Sequence, residues 1–149
     1  MARKTKEAAL ETRAQIIDAA RRVFHAEGVN RSTLDKVAKA AGVTRGAVYW
    51  HFANKAEIFL AVKQTYTSEF DQLQSLLTPQ ADEPPLAALG NYLQQLFTAL
   101  LSNTAARETY EIMMLRCEYV EEFGEVLQII TEPCTDILGA FDRLYREAS

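Results

Sequence analysis

The stretch from Thr33 to Phe52 constrains this chain more than any other. Thr33, at the end of the cluster Asn30-Arg31-Ser32-Thr33, precedes Leu34, Val37, Ala38 and Ala41, an i, i+3, i+4, i+7 set, and Gly42 follows directly. A hydroxyl N-cap, a one-sided apolar stripe and a glycine stop define a short helix from about Thr33 to Ala41. Thr44 caps another that runs only to about Trp50. A longer helix, about Glu7 to Ala26, comes before them, with Ile16, Ile17, Ala20, Val23 and Phe24 at helical spacing and Gly28 as its stop. Three helices of these lengths, the last two joined by Gly42-Val43, make a helix-turn-helix unit.

The rest of the chain is helical by the same reading. Asn54 and Glu57 form a capping box that opens a long fourth helix with the stripe Ile58, Phe59, Val62, Tyr66, Phe70, Leu73 and Leu77. Thr78 to Pro85 is a loop. Pro85 suits the first turn of a fifth helix whose inward set is Leu86, Leu89, Leu93, Leu96, Phe97 and Leu100. Ser102-Asn103-Thr104 caps a sixth, carrying Tyr110, Met113, Met114 and Cys117. A seventh shows Phe123, Leu127, Ile130, Cys134, Ile137, Phe141 and Leu144, and Pro133 within it predicts a kink or a restart. Strand-like alternation is nearly absent, and with 48% apolar residues a packed core is within reach. The expected class is all-α.

Charge divides the chain. Residues 1–55 hold 11 Lys+Arg against 5 Asp+Glu, or +6; residues 56–149 hold 5 against 15, or −10. A basic block on an acidic body points to a polyanion at one end only. We therefore expect two domains, a basic helix-turn-helix domain over 1–55 and an acidic helical domain over 56–149. No apolar run reaches the roughly 18 residues of a membrane span, and no membrane partner is expected. The N-terminus does not read as a secretory signal, and Cys117 and Cys134 form no C-x-x-C pattern, which together suggest a cytoplasmic setting. Paired carboxylates on a cleft, a nucleophile–base pattern and a phosphate loop are all missing, so no enzyme, cofactor or metal is expected. His51 has no second ligand at i±3 or i±4.

On the second short helix, Arg45 and Tyr49 stand one turn apart and can face the major groove of DNA. Arg45 has the fork that reads guanine O6 and N7, Gly46 allows close backbone approach, and Ala47 can touch a thymine methyl. Thr33 and Thr44 offer hydroxyls and helix N-terminal amides to phosphate, joined by Tyr49, His51 and Lys55. Lys36 and Arg31 add diffuse attraction. Arg3 and Lys4 belong to a flexible arm suited to the minor groove or backbone. Val48, Trp50 and Phe52 are expected to lock the small core; His25, Arg21, Arg22 and Lys39 read as ordinary surface residues. In the second domain Tyr66, Phe70, Tyr92, Phe97, Tyr110, Met113, Met114 and Phe141, with Leu89, Leu93, Leu96, Cys117 and Ile137, can line an adaptable apolar cavity, or can simply be core. Glu111 and Glu118 nearby suit a cationic amphipathic ligand. Cys117, an unassisted thiol on an apolar face, should be inert.

Thr33-Leu34, Val37-Ala38, the run Ala41-Gly42-Val43-Thr44-Arg45-Gly46-Ala47-Val48-Tyr49-Trp50-His51-Phe52, Asn54-Lys55 and Glu57 closely resemble the signature of the TetR family of bacterial repressors. Ala2-Arg3-Lys4-Thr5-Lys6-Glu7, Glu11-Thr12-Arg13 and Cys117-Glu118-Tyr119 resemble the AcrR/TtgR branch, which controls multidrug efflux pumps. The resemblance implies a double-stranded DNA operator, a hydrophobic or cationic amphipathic inducer, and a homodimer that sets two reading helices about 34–36 Å apart. Family members carry two further C-terminal helices that build most of the dimer interface. With the sequence ending at Ser149, the ligand-binding and dimerisation domain is expected to be incomplete and the seventh helix to expose apolar surface. Two other readings stand: a relative governing a catabolic or stress operon, and a truncated helical protein that binds DNA without sequence preference.

Overall fold

A computed structural model describes residues 2–149, and the side chains of all of these except residues 2–4 and 69. The described residues form helices, turns and loops without strands: α1 Ala2–Glu27, α2 Leu34–Ala41, α3 Arg45–His51, α4 Lys55–Leu73, α5 Pro85–Ser102, α6 Thr104–Leu115 and α7 Gly124–Glu147, with 3-10 turns at Gln74–Leu77 and Glu121–Phe123.

Local chemistry accounts for the helix ends. Thr33 Oγ1 accepts from the amide of Lys36 at 3.3 Å and Thr44 Oγ1 from that of Ala47 at 3.1 Å. Gly42 sits at φ 70°, in the left-handed region, and its amide donates to the carbonyls of Ala38 and Lys39. Val43 N–H also donates to Ala38 O at 3.0 Å, so the end of α2 is closed by the Schellman pattern that a glycine here permits. Asn54 Oδ1 accepts from the Glu57 amide at 2.9 Å, while the Glu57 carboxylate accepts from the Ala53 amide at 2.7 Å. Asn103 caps α6 by accepting from Ala106 N–H at 3.0 Å.

Three sequence expectations change. α1 starts at Ala2, so the Arg3-Lys4 segment is helical backbone in place of a flexible arm; the side chains of Arg3 and Lys4 lie outside the described residues. The run Glu7-Ala8-Ala9-Leu10-Glu11 holds strong helix formers and lets the helix extend toward the N-terminus. α7 runs through Pro133 without a restart. Pro133 withholds a donor from the carbonyl of Ile129, a residue 47% exposed, so water can take its place. Leu86 and Phe97, assigned inward, are 51% and 58% exposed.

Buried apolar residues gather in two clusters. One joins Ile16, Ile17, Phe24, Val37, Val48 and Phe52 to Ile58, Phe59 and Val62 of α4, Ile112 and Met113 of α6, and Phe123, Val126 and Ile130. The other, smaller one holds Leu77, Tyr92, Ala140 and Leu144, with Leu89, Leu93 and Phe141 packed against it. The first cluster runs without interruption across residue 55, so the three-helix unit shares its interior with α4, α6 and the start of α7.

Candidate nucleic-acid interface and cavity

α3 is short because Thr44 opens it and Phe52 closes it: Phe52 takes an extended backbone while its amide still donates to Val48 O at 2.9 Å. Val48 and Phe52 face the core at 0% and 3% exposure. The opposite face carries Arg45, Gly46, Tyr49 and Trp50, all exposed, with Ala47 and His51 half-buried at its margins. Trp50 is 74% exposed and meets His51 edge-on, with ring centroids 4.5 Å apart. It was expected in the core with Val48. The two are two residues apart, about 200° around a helix, so one buries only if the other does not.

The Arg45 guanidinium is held on two sides. One nitrogen donates to Asp35 Oδ2 of α2 at 3.3 Å, the other to Tyr49 Oη at 3.3 Å, and the group lies 5.4 Å from the centre of the Tyr49 ring. The hydrogen bond that Arg45 donates to Tyr49 and the Asp35 charge together raise the pKa of Arg45. A Cβ added at Gly46 would meet only Thr44 Oγ1 at 3.9 Å, an ordinary contact. Glycine within a helix costs about 1 kcal/mol relative to alanine. No contact among the described residues requires it. Thr33 and Thr44 are exposed, and each hydroxyl, already accepting from a backbone amide, keeps its proton to donate outward. Burial, then the nearby Arg13 charge, lowers the pKa of His51.

Lys55, expected at phosphate, and Lys36, expected to add diffuse attraction, are engaged elsewhere. Lys55 Nζ donates to the carbonyls of Asn30 at 3.2 Å and Ser32 at 3.1 Å and lies 5.6 Å from the centre of the Phe123 ring. Lys36 Nζ pairs with Glu27. Arg21, read as a surface charge, has a side chain only 12% exposed and binds both Asp18 and Glu108. Asp18 also accepts from Tyr66 Oη at 3.1 Å and from Arg22 at 3.1 Å. Burial works against the Asp18 carboxylate, but these donors outweigh it and its pKa is lowered. His25 meets Glu111 at 2.5 Å.

The second assembly is a cavity of about 260 Å³ between α4, α5, α6 and α7. Phe70, Tyr92, Leu96, Tyr110, Met113, Met114 and Ile137, all named from the sequence, line it. The Phe70 and Tyr110 rings pack edge-on at 5.2 Å, and burial pushes the Tyr110 phenol up to about 12. Six other named residues lie away from it. Tyr66 is bound to Asp18; Leu89, Leu93 and Phe141 pack in the smaller core; Phe97 faces outward; Cys117 packs against the main core, its thiol pushed up to about 11 by burial. Glu111 and Glu118 also lie elsewhere, the first on His25 and the second bonded through its peptide to Asn30. Among the described residues, the carboxylate that lines the cavity is Asp71, one turn past the buried Thr67 on α4, with Lys63 one turn before Thr67. This i, i+4, i+8 polar row beside the apolar stripe of α4 was a signal the sequence offered. Among the described residues, no helix is long and apolar enough to cross a membrane.

Comparison with known proteins identifies the family and the fold. Residues 16–62 match the family described as bacterial regulatory proteins, tetR family. TtgR, an HTH-type transcriptional regulator of Pseudomonas putida, is 42% identical over 128 residues, covering 86% of this chain and 61% of TtgR. This chain therefore spans about three fifths of that relative's length. The crystal structure of NalD, the secondary repressor of the MexAB-OprM multidrug efflux pump in Pseudomonas aeruginosa, superposes with a TM-score of 0.77 at 33% identity, covering 93% of this chain and 69% of NalD. The SmeT–triclosan complex superposes with a TM-score of 0.72 at 36% identity over 93% of this chain and 66% of that one.

Proposed function

This chain belongs to the TetR family of bacterial regulatory proteins, and from that premise we propose that it represses transcription by binding a palindromic operator and leaves it when a small apolar ligand fills the cavity. The observation that carries the reading is the outer face of α3. An arginine fork held in place, a glycine that its own fold does not need and an exposed Tyr49-Trp50 pair stand together on a helix whose other face is locked by Val48 and Phe52. Arg45 reads a guanine, Gly46 admits the DNA backbone, and Thr33, Thr44, Tyr49 and His51 hold phosphates. Trp50 joins them on that face. Residues 1–55 form the DNA-binding domain, and the remainder binds ligand and a second copy.

The relatives point to the kind of gene controlled. NalD governs an efflux pump, and SmeT, of known structure with triclosan, holds a small chlorinated aromatic ligand. The aromatic and methionine lining here suits an inducer of that class, and control of an efflux operon follows as the proposal. Asp71 gives the cavity one carboxylate for a cationic group. The test is selection of a binding sequence from random duplexes by the purified chain, then footprinting. A palindrome protected under some ionic condition, and released by triclosan, is expected; no protected sequence at any salt concentration refutes it.

A further inference from the structure

Asp35 is an anion on the face that would meet a polyanion. It stands in the first turn of α2, 62% exposed, two residues from Thr33 and across the turn from α3. A negative charge there opposes every phosphate, whatever the sequence. Its pairing with Arg45 does little for stability, since both partners are mostly exposed and water screens the pair. A carboxylate in a first helical turn does complement the helix dipole, but that benefit needs no particular partner. The geometry adds something specific. Asp35 Oδ2 takes one guanidinium nitrogen of Arg45 while Tyr49 Oη takes the other, each at 3.3 Å, so the fork is held from two helices at once.

We propose that Asp35 is a specificity-determining residue, one that positions the Arg45 fork for a single base pair and weakens attachment to all other DNA. The proposal rests on the operator-binding reading above. Asp35 touches no base. It acts by reducing the freedom of a side chain whose bidentate contact depends on direction, and by charge repulsion that only a correctly read site offsets.

The test uses the whole chain, an operator selected with the unaltered protein, and that operator changed at the base pair most sensitive to Arg45→Ala. Asp35→Asn keeps the shape and removes the charge. Discrimination at that base pair should fall about fivefold, the lower end of what a bidentate arginine contributes because the Tyr49 bond remains. Binding to unrelated duplex should rise about twofold to fivefold, the effect of one nearby charge screened by water. In an Arg45→Ala background, Asp35→Asn should leave discrimination unchanged, and thermal melting should confirm that each variant is folded. Unchanged discrimination in Asp35→Asn overturns the proposal, as does an equal loss of discrimination in the Arg45→Ala background. If the unaltered chain selects no sequence, the repressor reading falls and this proposal with it. If it selects one and Asp35→Asn keeps the preference, only the role of Asp35 falls.

Discussion

Replacing Lys55 by methionine separates two roles that a lysine at the start of α4 can have. From the sequence, its ammonium is a phosphate ligand at a helix N-terminus; in the structure it bridges the carbonyls of Asn30 and Ser32, the segment between α1 and α2. Methionine retains an unbranched stem beside Phe123 and removes only the charged donor. A hydrogen bond to a charged group contributes about 1.5–3 kcal/mol when buried. Lys55 is half-buried, which reduces each of its two bonds, and a total of about 2 kcal/mol is expected. For a chain of this size that corresponds to a drop of roughly 4–8 °C in Tm. The salt dependence of DNA binding provides the second readout. Each phosphate neutralised contributes about −0.9 to the log–log slope. As a brace, Lys55 leaves that slope unchanged while the melting temperature falls. A slope shallower by about one phosphate, at an unchanged Tm, would refute the brace and restore the phosphate contact.

Other perturbations probe the remaining parts. Arg45→Ala should cost about 1–3 kcal/mol on the selected operator and far less on unrelated DNA, measured by competition binding. Ile137→Trp should narrow the cavity of about 260 Å³ and weaken the proposed release by triclosan while operator affinity stays within about twofold; unchanged release would place the ligand elsewhere. Asp18 has a lowered pKa in the folded chain, so its contribution is present above the ordinary carboxylate range near pH 4 and is lost as pH falls through the folded value. Asp18→Asn should therefore lower stability at neutral pH and flatten its acid limb, followed by urea midpoints from pH 7 to pH 3. A peptide of residues 1–55 lacks Ile58, Phe59, Val62, Ile112 and Phe123, which complete its core, and should show no cooperative melting by circular dichroism.

What was legible in the sequence was mostly local. Thr33, Gly42, Thr44 and Asn54 announce helix ends through bonds that span three to five residues, and the structure forms those bonds. The buried face is ambiguous in the sequence where two large apolar residues stand close together. Trp50 was grouped with Val48, and Phe97 with Leu96, although neighbours one or two positions apart point in widely different directions on a helix. The polar interior was not legible at all. Arg21 meets Glu108 and His25 meets Glu111 over separations of 87 and 86 residues, and no pattern near Arg21 distinguishes it from a solvated charge. The same holds for Lys55, whose carbonyl partners lie 23 and 25 residues away.

Those long-range contacts bear on how the cavity would act on α3. α4 runs from the start of the second domain to the cavity, but α6 has the more telling pair of faces. On one side it gives Tyr110, Met113 and Met114 to the cavity; on the other, Glu108 and Glu111 hold Arg21 and His25 of α1. Just past its end, Arg116 O accepts from Val29 N–H at 2.8 Å, and the peptide of Glu118 exchanges two bonds with the Asn30 amide at 2.7 and 2.9 Å. On the proposed mechanism, a ligand that displaced Tyr110 or Met113 would move an element bonded at four places to the N-terminal helices, two on α1 and two on the segment before α2. Because the main core is continuous from α1 to α7, that displacement cannot be absorbed by sliding across a loose domain boundary. The coupling needed for regulation, typically 1–3 kcal/mol, is no larger than the differential strain that two or three such polar contacts can carry.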